Sequence, residues 1–162
     1  MAFRLLTLGE LRLVDPSGNA VAFSEKGLIM LAYLFVHPQR AQSRTALSKL
    51  LWDAVEPAQA YTNMRKSLSR IDSRQHELGH QFVQITASDV KLNAKAIDCD
   101  IAGLEAPPVS DALIDLRSLV GLFSHAFLEN VDSTGAALSA WIGQQRVQHL
   151  SRLREALITA IP

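Results

Sequence analysis

Ala60, Met64, Leu68 and Ile71 recur at i, i+4, i+8 and i+11, the spacing that puts apolar residues on one face of an α-helix. At about 100° per residue, Gln59, Thr62, Lys66, Ser69 and Ser73 fall on the opposite face. Asn63 and Arg70 lie on one shoulder and Arg65 on the other. The pattern predicts a helix from about Ala58 to Glu77, and Leu78-Gly79 supplies its C-terminal stop.

The flanking patterns place that helix in a larger order. Phe3–Leu8, Leu11–Val14 and Val21–Phe23 are short Leu/Val-rich runs, with turn chemistry in Asp15-Pro16-Ser17-Gly18-Asn19. They predict a small antiparallel sheet. Ser24 is a candidate N-cap for a helix with Glu25 in its first turn, mostly buried because Leu28 to Val36 is apolar almost throughout, and ended by His37-Pro38. Ser43 caps a second helix whose Leu47, Leu50 and Leu51 share a face, with Ala46 beside them and Trp52 closing it. Asp53–Pro57 reads as a loop. Beyond the long helix, Phe82–Thr86 and Val90–Asn93 alternate around Ala87-Ser88-Asp89, the pattern of a hairpin.

The remaining third is less regular. Asp98–Ala106 reads as a short helix or turn, and Ala106-Pro107-Pro108-Val109-Ser110 as a linker. Ala112–Leu122 and Ser139–Ile161 read as helices, the second with Ile142, Leu150, Leu153 and Leu157 as its inward stripe. Two such helices cannot bury a core alone and must pack on the first part, on a partner or on further sequence. The fold class expected is α+β: a winged helix-turn-helix with an N-terminal antiparallel sheet and a C-terminal hairpin wing over residues 1–105. Residues 106–162 would form a linker and following helices.

Charge sharpens this picture. The 162 residues carry no net charge, but residues 1–95 hold 12 Lys/Arg against 8 Asp/Glu, and residues 96–162 hold 4 against 8. A basic half joined to an acidic half suits a nucleic-acid reader joined to something else. No apolar run is long enough to span a membrane, and MAFRLLTLGE is broken by charge too early for a signal peptide. The single cysteine, Cys99, excludes an internal disulfide framework and fits a reducing, cytoplasmic setting.

A reading helix must present groups that bond base edges and phosphates. Arg and Lys can bond guanine, Asn adenine, and Ser or Thr either bases or phosphates. The candidate DNA-binding residues are therefore Thr62, Asn63, Arg65, Lys66, Ser69, Arg70 and Arg74 on the long helix. Ser43 and Arg44 could hold the backbone from the preceding helix, and Lys91 from the wing. A plain solvated amphipathic helix would share this pattern.

Enzyme readings find little support. His76 and His80 are four apart without an evident third metal ligand, and Asp98-Cys99-Asp100 has no paired histidine. No Gly-rich phosphate loop is present. The expectation is a non-enzyme with no cofactor, no metal and no catalytic residues.

With these elements placed, the chain resembles SARP-like bacterial transcriptional activators, which join an OmpR-type winged helix to a bacterial transcriptional activator domain of TPR-like helices. HPQRAQSRTALSKLLWD (His37–Asp53) is similar to that family's turn and second helix, and NMRKSLSRI (Asn63–Ile71) to its recognition helix. VKLNAKAIDCDIAGLEA (Val90–Ala106) is similar to the last wing strand and linker helix. LVGLFSHAFLENV (Leu119–Val131) and WIGQQRVQHLSRLREAL (Trp141–Leu157) are similar to the opening helices of the activator domain. Three departures stand out. The wing turn Ala87-Ser88-Asp89 lacks a glycine and a basic residue, Asp72 and Ser73 replace basic residues, and the chain stops at Pro162, where the helical repeats normally continue. The last suggests a truncated activator domain.

The resemblance implies a sequence-specific DNA-binding transcription regulator, an activator, with double-stranded DNA as partner and no membrane association. It also implies that the loop with the acidic pair Asp53 and Glu56 can touch RNA polymerase, and that homodimers can form. The alternative is an N-terminal protein-interaction module of a larger signalling protein, whose winged helix docks a protein. Zero net charge and the acidic wing favour that alternative.

Overall fold

The computed structural model describes residues 2–37, 40–101, 125–131 and 135–160. Among these, the N-terminal runs form the strands β1 (Phe3–Leu6), β2 (Arg12–Val14) and β3 (Ala20–Val21), paired antiparallel in turn. Alternation decides their faces. Phe3, Leu5 and Leu13 point into the core, and Arg4 and Arg12 point to solvent. The Asp15 carboxylate accepts from the amides of Ser17 and Asn19 and fastens the turn between β2 and β3.

Helix α1 (Glu25–Val36) starts where Ser24 Oγ accepts from the Gly27 amide, 3.1 Å away, and ends at His37. Its run from Leu28 to Ala32 is wholly buried, as its near-continuous apolar sequence requires. Strand β4 (Gln42–Ser43) leads directly into α2 (Arg44–Leu51), where Ser43 Oγ caps the Ala46 amide at 3.0 Å. Helix α3 (Pro57–Leu78) is one residue longer at each end than the pattern predicted. Pro57 fits the first turn because the amide hydrogen it lacks would have had no helical partner. The hairpin of β5 (Val83–Ile85) and β6 (Asp89–Leu92) follows, with β4 on the far side of β6, giving a second sheet in the order β4-β6-β5.

Residues 97–99 depart from expectation. The sequence predicts a helix or turn over Asp98–Ala106, yet Ile97–Cys99 forms β7, parallel to β1, with Asp98 opposite Arg4, and a helical turn begins only at Asp100. The first sheet therefore runs β3-β2-β1-β7. Three residues are too few to display a strand period, and the partner lies nearly a domain's length away in sequence. Asp100 follows and is buried, its carboxylate accepting from the amides of Thr7 and Leu8 and from the Thr7 hydroxyl at 2.6 Å.

Two further expectations change in the C-terminal part. Helix α4 (Ala136–Ala160) faces inward with Leu138, Trp141, Ile142, Gln145 and His149. Leu150, placed on the inward stripe by sequence, is 62% exposed. Gln145 and His149 take inward positions that hydrophobicity does not mark, so the buried face keeps Ile142 but turns away from Leu150. Leu153 is half-buried, and the Leu157 side chain lies outside the described set. His125–Val131 resembled part of an activator-domain helix but forms a bridge and turn instead. Leu8 pairs with Phe127, the Gly9 amide donates to Ala126 O, and the Leu128 amide donates to Thr7 O. The linker at 106–110 and the helix expected at 112–122 lie outside the described residues.

Helix α4 belongs to the same core as the N-terminal part. Trp141 packs against Tyr33 of α1 and edge-on to Phe127, with ring centroids 5.2 and 5.6 Å apart. Arg146 donates to the carbonyls of Phe127 and Leu128 at 2.8 and 3.1 Å. No described helix is long and apolar enough to cross a membrane.

Candidate nucleic-acid interface

The predicted inner stripe of α3 is buried in full: Ala60, Met64, Leu68 and Ile71. Two polar residues join it. Ser67 is buried, and Gln75, 5% exposed, accepts the Val83 amide hydrogen through Oε1 at 2.7 Å. That bond ties the end of α3 to the first residue of β5 and sets where the hairpin stands. Gly79 holds φ at 69°, the left-handed region that a glycine enters without a Cβ clash. Its amide and that of His80 satisfy the last carbonyls of the helix, and the chain turns toward the hairpin.

Between α3 and the hairpin lies an open groove of about 590 Å³. Arg44, Thr62, Arg65, Lys66 and Ser69 line it, and Leu68, Val83 and Ile85 contribute apolar wall. Asp72 and Gln81 also line it, and sequence reasoning did not single out either as a groove residue. Gln81 follows the helix in what read as plain loop, so no periodicity marks it. Three cations against one carboxylate give the groove a local positive balance that the neutral chain total conceals.

Other candidates stand elsewhere. Asn63 and Arg70 lie on the opposite shoulder of α3, where Asn63 Oδ1 accepts from Gln59 Nε2 at 2.9 Å. Thr62 donates its hydroxyl to Ala58 O within the helix. Arg65, Lys66 and Arg70 are exposed and make no hydrogen bond or ion pair among the described residues. Arg74 is drawn away from the outer face. Its Nε donates to Ala22 O at 2.8 Å, and its Nη1 pairs with Glu77 at 2.7 Å, so it fastens α3 to the N-terminal sheet.

The supporting positions are partly committed. Ser43 Oγ is the cap of α2. Arg44 reaches across to the hairpin tip, where its Nη2 donates to Thr86 O and its backbone amide donates to Ser88 O. Its Nε is buried without a hydrogen-bond partner among the described residues. Lys91 sits beside Gln84 on the hairpin face turned away from the core. The acidic loop divides. Glu56 is exposed and its side chain makes no cap, whereas the Asp53 carboxylate accepts from the Ala137 amide at 2.8 Å and so caps α4.

The weaker chemistry is structural. Burial, reinforced by the neighbouring Asp100 charge, pushes the Cys99 thiol far up and keeps it protonated. His76 lies 4.0 Å from Asp72, and no three His, Cys, Asp or Glu gather among the described residues.

No family model and no curated protein matches this chain. Its fold is similar to that of a solved structure, Mycobacterium tuberculosis EmbR in complex with low affinity phosphopeptide, with a TM-score of 0.67 and 17% sequence identity. The match covers 95% of this chain and 43% of that one, so the chain spans less than half the length of its neighbour. At this identity the likeness is one of fold: an α+β architecture shared over nearly all of the chain.

Proposed function

We propose that this chain is a sequence-specific DNA-binding transcription regulator, an activator, built as a winged helix-turn-helix. In this reading α2 and α3 are the two helices and β5-β6 is the wing. The observation that carries it is the outer face of α3, where Arg65, Lys66 and Arg70 stand exposed with no hydrogen bond or ion pair among the described residues, and Arg65 and Lys66 line the groove. A helix with its side chains is about 10–12 Å across, which matches a major groove about 12 Å wide. Lys66, Asn63 and Arg70 would read bases, with Thr62 and Ser69 supporting them. Arg44, held against the hairpin, would meet phosphate. Glu56, exposed and without a side-chain cap bond, would contact polymerase from the loop. The helices from residue 106 onward would open an activator domain of TPR-like repeats and set dimer geometry.

The test is selection of bound sequences from a randomised duplex pool, followed by titration at two salt concentrations. An enriched motif with affinity that falls as salt rises is expected, because phosphate contacts release counterions. Asn63→Ala or Arg70→Ala should cost about 1–3 kcal/mol on that motif and far less on random duplex. Equal losses on both duplexes would remove the base-reading assignment. The second reading, a surface that docks protein, is favoured by Asp72 in the groove and Asp89 at the wing. No enrichment and no salt dependence would select it.

A further inference from the structure

Helix α4 buries two polar side chains one turn apart, Gln145 at 5% exposure and His149 at 3%. Neither makes a hydrogen bond among the described residues, and His149 Nδ1 is closed off from solvent with no partner. Polar side chains turned to the inward face of a helix are expected to find hydrogen-bond partners. Both line a cavity of about 200 Å³ where α4 meets the end of α1 and strand β7. Its other walls are largely apolar, formed by Phe35, Val36, Leu92 and Ile97.

We propose that this cavity is a binding site for a small, neutral, ring-sized molecule carrying an amide or similar edge that both donates and accepts hydrogen bonds. The Gln145 amide offers a donor and an acceptor. The His149 imidazole adds one more bond through Nε2, since Nδ1 is occluded. Its ring is held edge-on to Phe127, with centroids 5.0 Å apart, and so is fixed in orientation. Burial, and then the Arg152 charge, lower its proton affinity, while Asp100 opposes them in part; the ring meets a guest uncharged. Asp98 and Arg152 line the cavity with opposite charges, which gives no net preference for an ion. The volume is below the 300–1,000 Å³ usual for ligand pockets, which limits the guest to about one ring. A guest there would touch α1, β7 and α4 at once and would tighten the seat of α4. This goes beyond the DNA-binding reading and does not depend on it.

Benzamide is the probe, with toluene and benzoate as controls, titrated into the full chain while the Gln145 side-chain amide and the His149 ring are followed by NMR. Saturable shifts at both groups with benzamide are expected, with weaker or no response to toluene and benzoate. Gln145→Leu should weaken benzamide about tenfold, the worth of one buried hydrogen bond. The melting temperature of the variant, read alongside, reports that it is folded. His149→Phe gives a second variant with the same two readouts. Absence of saturable shifts with benzamide would overturn the proposal. So would toluene binding as tightly as benzamide, or benzamide binding unchanged in a folded Gln145→Leu protein.

Discussion

Replacing Asp53 with alanine should loosen the C-terminal helix from the loop between α2 and α3. In the folded chain the Asp53 carboxylate accepts from the Ala137 amide at 2.8 Å, in the first turn of α4 and 84 residues away. The bond does the work of an N-cap supplied from another element. A capping side chain is worth about 1 kcal/mol, within a range of roughly 0.5–2. A negative charge at a helix N-terminus adds about 0.3–1 kcal/mol in low salt. The site is exposed, so water recovers part of the bond and salt screens part of the charge. The net expectation for Asp53→Ala is a loss of about 1–2 kcal/mol. For a chain of this size that lowers the thermal midpoint by roughly 3–6 °C. Asp53→Asn keeps an acceptor and should lose only the smaller, salt-sensitive share. Gly135 supplies an independent check, because a Cβ there would collide with the Asp53 carboxylate and swing it off the Ala137 amide. Gly135→Ala should therefore reproduce the loss, and the double variant should lose no more than either single one. Thermal unfolding followed by tryptophan fluorescence suits the question, since Trp52 adjoins the loop and Trp141 sits on α4. An Asp53→Ala protein that melts with the parent, or a double variant whose losses simply add, would refute the reasoning.

Three other outcomes follow from the same structure. Gln75→Ala leaves the buried Val83 amide without its acceptor and should cost about 1–3 kcal/mol in urea unfolding, with faster hydrogen exchange in β5 than in β1. The folded state holds the His149 proton affinity below its usual value, so the unfolded chain binds the extra proton first. Stability should be level above about pH 6.5 and fall as pH drops below it, and His149→Phe should flatten that fall in a denaturation series across pH. Cys99 should resist a thiol-alkylating reagent at pH 8 in the folded protein and react at an ordinary rate once urea unfolds it; rapid labelling under native conditions would contradict its burial.

Where local chemistry dictates structure, the sequence was readable. Ser24 and Ser43 cap helices because a hydroxyl before an apolar run has amide donors within reach. The stripe from Ala60 to Ile71 is buried because one helical face must meet the core, and the hairpin stands where alternation put it. Partners distant in sequence were not readable. Nothing near Ile97 announces that it lies beside Phe3, nor near Asp53 that it caps Ala137. Arg74 illustrates the same limit within the candidate site. Helical phase puts it near the outer face, but a carbonyl at Ala22 and the carboxylate of Glu77 take its guanidinium. Gln75 was missed for the converse reason, since a buried glutamine has no hydrophobic signature and its acceptor role exists only once β5 is in place.

The groove and α4 are also linked through a short path of contacts. Asp53 stands at the start of the loop that feeds α3, and α4 rests on α2, whose first residue, Arg44, reaches the hairpin tip. The two walls of the groove are thus held by elements that α4 touches either directly or through one residue. Close packing leaves these elements little room to shift independently of one another. Net charge is a poor guide to the groove. Screening confines each charge to about 8 Å at physiological salt, so what a phosphate meets is the local set of Arg44, Arg65 and Lys66 against Asp72. The acidic C-terminal third lowers the chain total without cancelling that local set.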